Sequence, residues 1–278
     1  MSSGLIAVMA CLRCTDDCNS ADADRQTAPC AVTQRTGVGL VHPLATSPHL
    51  NDTAGCMPTS ADVDAKNLAR RYGRRWALAD VSFTLPGGAV LMVAGPNGSG
   101  KSTLLRTLST AVRPDGGSAR IGGFDVVRER EDVRKLVALL SHASYLYDSL
   151  TAKQNLAVVA DHLGRSRSNI DALLDRVALG RRADDTVATF SAGMRKRLSF
   201  ARVLLQEPRV AMLDEPYGQL DPEGFVLVED VVRELKAGGT TVIMATHQLA
   251  RASAIADEAM LLEAGRVAWR GKASEVPC

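Results

Sequence analysis

The first sixty residues of the chain show neither helical nor strand periodicity. They hold no Phe, Trp or Tyr and are rich in Ala, Ser, Thr, Asp and Pro, so residues 1–60 are expected to be a disordered leader that does not fold alone. The pattern changes near Ala65. Leu68, Tyr72, Trp76, Leu78, Val81, Phe83 and Leu85 recur with strand-like spacing, which places a folded domain over residues 61–278. Two continuous apolar runs, at 89–94 and 210–213, and the segment 240–247 with Val242 to Ala245 at its centre, read as buried strands. Residues 114–123 read as a turn, a short strand and a second turn, and 133–141 as a helix end running into a buried strand. From 150 to 179 the apolar residues fall at helical spacing (Leu156, Val159, Leu163; Ile170, Leu173, Leu174, Val177), interrupted by Gly164. Residues 260–269 predict a hairpin around a glycine turn.

Composition narrows the class more than it identifies it. Hydrophobic residues make up 46% and charged residues 23% of the 278, as in an ordinary globular protein. A net charge of +2, with no basic tract and interleaved aromatics, gives no field for nucleic acid, so none is expected as a partner. The apolar runs are shorter than the roughly twenty residues a membrane-crossing helix needs. Residues 5–12 have the length of a signal-peptide core, but Met1 to Gly4 carry no basic side chain, which argues against secretion. Five of the six cysteines precede residue 60. Cys11, Cys14 and Cys18 are spaced CxxCxxxC, and Cys30 and Cys56 follow; thiolates at such spacing can hold zinc or an iron-sulfur cluster. Two clean ligand pairs are missing, and His42 and His49 stand at no recognised spacing, so the incidental reading is preferred. Translation from Met57 is an alternative that would remove the leader. Cys278 is read as incidental.

One stretch carries chemistry by itself. Gly95-Pro96-Asn97-Gly98-Ser99-Gly100-Lys101-Ser102-Thr103 fits the pattern GxxxxGK[ST] at every fixed position, between an apolar strand and helical turns. Glycines at 95, 98 and 100 let the backbone curl until its N–H groups point at phosphate oxygens, and the helix N-terminus adds partial positive charge. Lys101 can reach the β and γ phosphates, the Ser102 hydroxyl can ligate a bridging Mg2+, and Thr103 supports the start of the helix. The run at 210–213 ends in Asp214 and Glu215, two acids delivered to the strand edge where open α/β sheets collect their ligands. Asp214 is suited to hold the Mg2+, directly or through its water, and Glu215 to polarise an attacking water as general base. His247 closes another apolar run at the same edge and is read as a γ-phosphate contact. Tyr72 either stacks on a base or sits half-buried in its strand. Ser191 is a good helix N-cap, and Gly193 beside it permits close backbone approach to phosphate. Asp221 caps a further helix.

In this order the motifs resemble the nucleotide-binding subunit of an ATP-binding cassette (ABC) transporter over about residues 65–275. The resemblance implies an α/β fold of the P-loop NTPase class and ABC type. A RecA-like mixed sheet core would be joined by an antiparallel β subdomain and an α-helical subdomain at about 144–202. It matches Tyr72 to the adenine-stacking aromatic, residues 212–216 to the second nucleotide motif with catalytic Glu215, Asp221 to a dimer-contact aspartate and His247 to the switch histidine. It implies a homodimer that sandwiches two ATP molecules with Mg2+, each Ser191-Ala192-Gly193 closing over the nucleotide of the other copy. Two departures stand out. The signature LSGGQ is here Phe190-Ser191-Ala192-Gly193-Met194, and His142-Ala143 replace the glutamine that senses magnesium and couples to the membrane subunit. Residues 141–152, 190–195 and 214–222 are similar to the ATPase of the haem exporter of bacterial cytochrome c maturation. That similarity implies an ATPase at the cytoplasmic face of the cell membrane, powering haem export through a separate integral membrane subunit. The alternatives are the ATPase of a drug or polysaccharide exporter, or a soluble ABC ATPase of iron-sulfur cluster assembly.

Overall fold

The computed structural model describes residues 61–277. The early cysteines, Met57 and Cys278 lie outside the described residues. β1 (Val63–Tyr72) and β2 (Arg75–Leu85) form the expected antiparallel pair, although β1 begins two residues before Ala65, with Val63 fully buried. β3 (Val90–Ala94) leads through the glycine loop into α1 (Lys101–Leu108). β4 (Gly116–Ile121), β5 (Phe124–Asp125) and α2 (Arg130–Leu136) follow, and α2 passes directly into β6 (Val137–Leu140). The helical spacing at 150–179 yields α3 (Ala152–His162) and α4 (Ile170–Arg176), separated at Gly164, whose φ of 63° is left-handed. Thr151 and Gln154 cap α3 reciprocally: the Gln154 N–H donates to Thr151 Oγ1 at 3.1 Å, and the Thr151 N–H to Gln154 Oε1 at 2.9 Å. Then come α5 (Ala192–Gln206), β7 (Val210–Asp214), α6 (Pro222–Ala237), β8 (Thr241–Ala245) and α7 (Leu249–Ser253). The predicted hairpin is β9 (Glu258–Glu263) and β10 (Arg266–Lys272).

Two sheets result. One is antiparallel, in the order β2-β1-β4-β5; the other is mixed, in the order β10-β9-β3-β8-β7-β6. Within the mixed sheet β9, β3, β8, β7 and β6 run parallel, and β10 is an antiparallel edge. Its central strands are buried throughout and almost wholly apolar because both faces are covered. In β3, Val90 and Met92 join the hydrophobic cluster that contains α3, α4, α5 and α6, whereas Leu91 and Val93 join the cluster beneath α1 and the antiparallel sheet. Val242 and Met244 against Ile243 and Ala245 repeat that alternation in β8. The parallel register aligns Val93 with Ala245 and Ala245 with Asp214. The chain therefore leaves β3, β7 and β8 side by side, and the segments beginning at Gly95, Glu215 and Thr246 share one edge.

Candidate nucleotide site

The loop from Gly95 to Gly100 is shaped by what surrounds it. Gly95, Gly98 and Gly100 have φ of 138°, 80° and 110°, a region L side chains avoid. A Cβ on Gly95 would lie 2.1 Å from the Leu262 carbonyl oxygen, and one on Gly100 would lie 2.3 Å from that of Ala77. Glycine at these two positions is thus imposed by β9 and β2 closing on the loop. Gly100 precedes α1, whose first N–H groups have no intrahelical acceptor and open toward the loop. Lys101 is buried in the mouth of the loop, where its ammonium donates to the carbonyls of Gly95 at 2.7 Å and Pro96 at 3.1 Å. The Ser99 hydroxyl is buried there without a hydrogen-bond partner among the described residues.

On the neighbouring strands the two acids take different roles. Asp214 ends β7 and is 2% exposed; the Ser102 hydroxyl donates to its Oδ1 at 2.9 Å. A buried carboxylate whose side-chain partner is a hydroxyl is a hard-oxygen pair that suits Mg2+, an ion held by one or two carboxylates together with substrate phosphates. Among the described residues no three His, Cys, Asp or Glu side chains cluster as a metal cage. Glu215 lies one residue beyond β7 with φ of 46° and lines the cleft, whereas Asp214 does not. His247, two residues beyond β8, brings Nδ1 to 2.8 Å from Glu215 Oε2. The contact lacks hydrogen-bond geometry, and Oε2 remains a buried acceptor without a donor.

A cleft of about 400 Å³ opens above this edge, bounded by Tyr72, Trp76, Asn97, Lys101, Ser102 and Glu215. Tyr72 is 47% exposed, with the Arg70 guanidinium 4.8 Å from its ring centroid, so the ring is available to a base. Arg75, Trp76 and Ala77 also line the cleft and carry no motif of their own. Trp76 lies across the tight β1–β2 turn from Tyr72, and only strand pairing reveals that they meet the same space.

The segment 191–193 is placed elsewhere. Ser191 caps α5 as expected, accepting from the Met194 N–H at 3.2 Å. A Cβ on Gly193 would stand 3.1 Å from the Gln219 carbonyl oxygen, so the close approach is to the turn after β7. Asp221 Oδ1 accepts from the Gly224 N–H at 2.8 Å and from Arg197 at 3.2 Å; the Gly224 N–H holds this carboxyl below the usual carboxylate range. Ser191, Ala192 and Gly193 do not line the cleft of their own chain. His142 is exposed, and the loop holding it is tied by Arg202, which donates to the Ser144 carbonyl at 3.0 Å.

Residues 78–218 match the family model described as ABC transporter. Daunorubicin resistance ATP-binding protein DrrA3 of Streptomyces coeruleorubidus is 44% identical over 211 residues, which cover 74% of this chain and 67% of that protein. Daunorubicin/doxorubicin resistance ATP-binding protein DrrA of Streptomyces peucetius is 36% identical over 223 residues, covering 79% and 67%. A solved ATP binding subunit of an ABC transporter shares the fold with a TM-score of 0.71 at 30% identity, over 76% of this chain and 89% of that one. The mixed sheet, the antiparallel sheet and the helices between β6 and β7 are accordingly those of an ABC ATPase. Neither named relative is a haem exporter, so the expectation of haem as cargo gains no support from them. The chain belongs to the ABC transporter family, as an ATP-binding subunit that hydrolyses ATP.

Proposed function

We propose that this subunit works as a homodimer at the cytoplasmic face of the cell membrane and powers export of drug-like molecules through a separate integral membrane subunit. One observation carries the ATPase part: Lys101, the Ser102–Asp214 pair and the Glu215–His247 pair converge on one sheet edge beneath an aromatic-lipped cleft. Tyr72 takes the base, and the N–H groups of residues 95–103 with Lys101 take the phosphate chain. Ser102 and Asp214 would hold a Mg2+, which when bound offsets charge on the phosphates. Glu215, with its unpaired Oε2, accepts the proton of the attacking water, and His247 stands beside it to contact the γ-phosphate.

The dimer is supported by the placement of Ser191, Ala192 and Gly193. They are shaped as a phosphate-facing helix start but stand outside their own cleft, so a second copy gives them a nucleotide to close over. Asp221, beside them, would lie at the same contact. Among the described residues no helix is long and apolar enough to cross a membrane, which leaves the translocation path to another chain. Drug export is favoured by the named activity of the relatives. Haem export rests on the resemblance of residues 141–152 and is the second reading.

Glu215→Gln tests the chemistry. It is expected to lower kcat by about a hundredfold or more while ATP still binds, because general-base catalysis contributes about 10²–10⁴-fold; hydrolysis at the unaltered rate would overturn the assignment. In the native host, replacing the chain by this variant should raise daunorubicin retention and leave c-type cytochrome content unchanged. The reverse pattern would favour haem.

A further inference from the structure

Lys196 is the buried charged side chain that the proposed mechanism leaves without a task. It lies on α5, just after the helix start formed by Ser191, Ala192 and Gly193, and is only 8% exposed. A lysine on a helix ordinarily extends its ammonium to water, so burial here needs a compensating partner. The partner is the end of β7. Nζ donates to the Asp214 carbonyl oxygen at 3.4 Å, with the carboxylates of Asp214 and Glu215 supplying the favourable field. Burial still wins over that field and pulls the amine down to about 8.

The peptide that Lys196 touches is the one that aims Glu215. Its carbonyl, from Asp214, faces the Lys196 ammonium; its N–H, from Glu215, donates to the Ala245 carbonyl at 2.8 Å. Both ends of the peptide plane are therefore held, one by α5 and the other by β8. The residue that follows is left-handed, at φ of 46°, a conformation that costs about 1–2 kcal/mol for a side-chain-bearing residue and persists only when neighbours enforce it. A rotation of this peptide would swing the Glu215 carboxylate within the cleft.

We infer that Lys196 is a positioning residue for hydrolysis: its ammonium on the Asp214 carbonyl sets the direction of the Glu215 carboxylate and ties it to the helix that begins at Ser191. Through Lys196, a shift of α5 when its N-terminus meets the second copy's nucleotide reaches the base of its own site. The inference rests on Glu215 acting as the base.

Lys196→Met keeps the length of the side chain and removes its charge. We expect kcat for ATP to fall about tenfold or more, since sub-ångström misplacement of a reacting group has effects of that size. KM and the Kd for a non-hydrolysable ATP analogue should stay within about twofold, because the phosphate loop is untouched. The melting temperature should shift by only a few degrees, because removing the desolvation cost of the buried ammonium is offset by leaving the Asp214 carbonyl without its donor. Lys196→Arg, which retains a cationic donor, should keep more of the rate than Lys196→Met. In a Glu215→Gln background, Lys196→Met should cause no further loss, since both changes remove the same step. A Lys196→Met kcat within twofold of the unaltered chain overturns the inference. So does an equal proportional loss in the Glu215→Gln background, or an arginine variant no faster than the methionine one; if the methionine variant does not fold, an arginine variant about tenfold or more slower than the unaltered chain overturns it instead. If Glu215→Gln is slow and Lys196→Met is fast, only the role of Lys196 fails. If Glu215→Gln is itself fast, the base assignment fails first.

Discussion

The phosphate loop and the turn after β7 both carry left-handed backbone, and they fill it with different residues. In the loop those positions are Gly95, Gly98 and Gly100; in the turn they are Glu215 and Gln219, at φ of 46° and 68°. Surroundings explain the difference. At Gly95 and Gly100 the carbonyls of Leu262 and Ala77 fill the space a Cβ would take. There the proposed phosphate contacts are backbone N–H groups, and a side chain would meet those carbonyls. The turn instead presents side chains, and Glu215 must be at the cleft whatever its backbone costs. Of the two left-handed residues in the turn, Glu215 lines the cleft and Gln219 does not, so only at Glu215 does the strain accompany a side chain delivered to the site.

That contrast can be broken by substitution. Gly100→Ala should destabilise by about 3 kcal/mol or more, from left-handed strain together with a backbone clash that cannot relax through a rotamer. Gly98→Ala, where nothing lies within 4 Å of the added atom, should cost only about 1 kcal/mol. Denaturant midpoints of the two variants measure the gap directly, and equal losses would show that the loop is not shaped by its neighbours.

Tyr217→Phe probes the turn from inside. The Tyr217 hydroxyl is buried without a partner among the described residues, so its removal should stabilise by about 1–2 kcal/mol in thermal unfolding. Burial also pushes the phenol up to about 12 from 10.0. The folded chain then keeps a proton that the unfolded chain releases, so this contribution is complete below pH 10 and disappears as pH rises through 12. The advantage of the phenylalanine variant should widen across that window. A gap that stays constant there would mean the phenol does not titrate as described.

Gln219→Gly should give the smallest effect, a gain of about 0.5–1 kcal/mol in stability from relief of the left-handed conformation, partly offset by a freer unfolded chain. A loss of stability on this change would show that the Gln219 side chain contributes packing that outweighs its strain. A higher melting temperature joined to slower hydrolysis would place that side chain, like Glu215, among those retained for use.

Much of the site was legible as local pattern. The phosphate loop, the acids after an apolar run, the Ser191 and Asp221 caps and the Gly164 break each depend on residues within a few positions of one another, and each stands where the spacing puts it. The placement of Trp76 and Arg75 was not legible, because they reach the cleft only when the β1–β2 pair folds over the loop and sets Ala77 against Gly100. Lys196 was hidden for the same reason. In sequence it is one basic residue in Arg195-Lys196-Arg197, and only packing shows that its neighbours turn to Asp148 and Asp221 while it turns inward. The sequence reads the Ser191 helix start as a phosphate contact, whereas its position outside its own cleft is a fact of three dimensions.

By itself, then, the sequence determined which segments are strands buried on both faces, which loop must curl, and which acids follow a strand, since alternation, glycine and chain adjacency are properties of neighbours along the chain. The tertiary structure decided the rest: that three strand ends in parallel register bring Lys101, Asp214, Glu215 and His247 to one edge, and which carbonyl each buried charge meets. Those outcomes depend on contacts between residues up to about 150 positions apart, whose pairing is selected by the burial of a whole sheet and not by any short pattern.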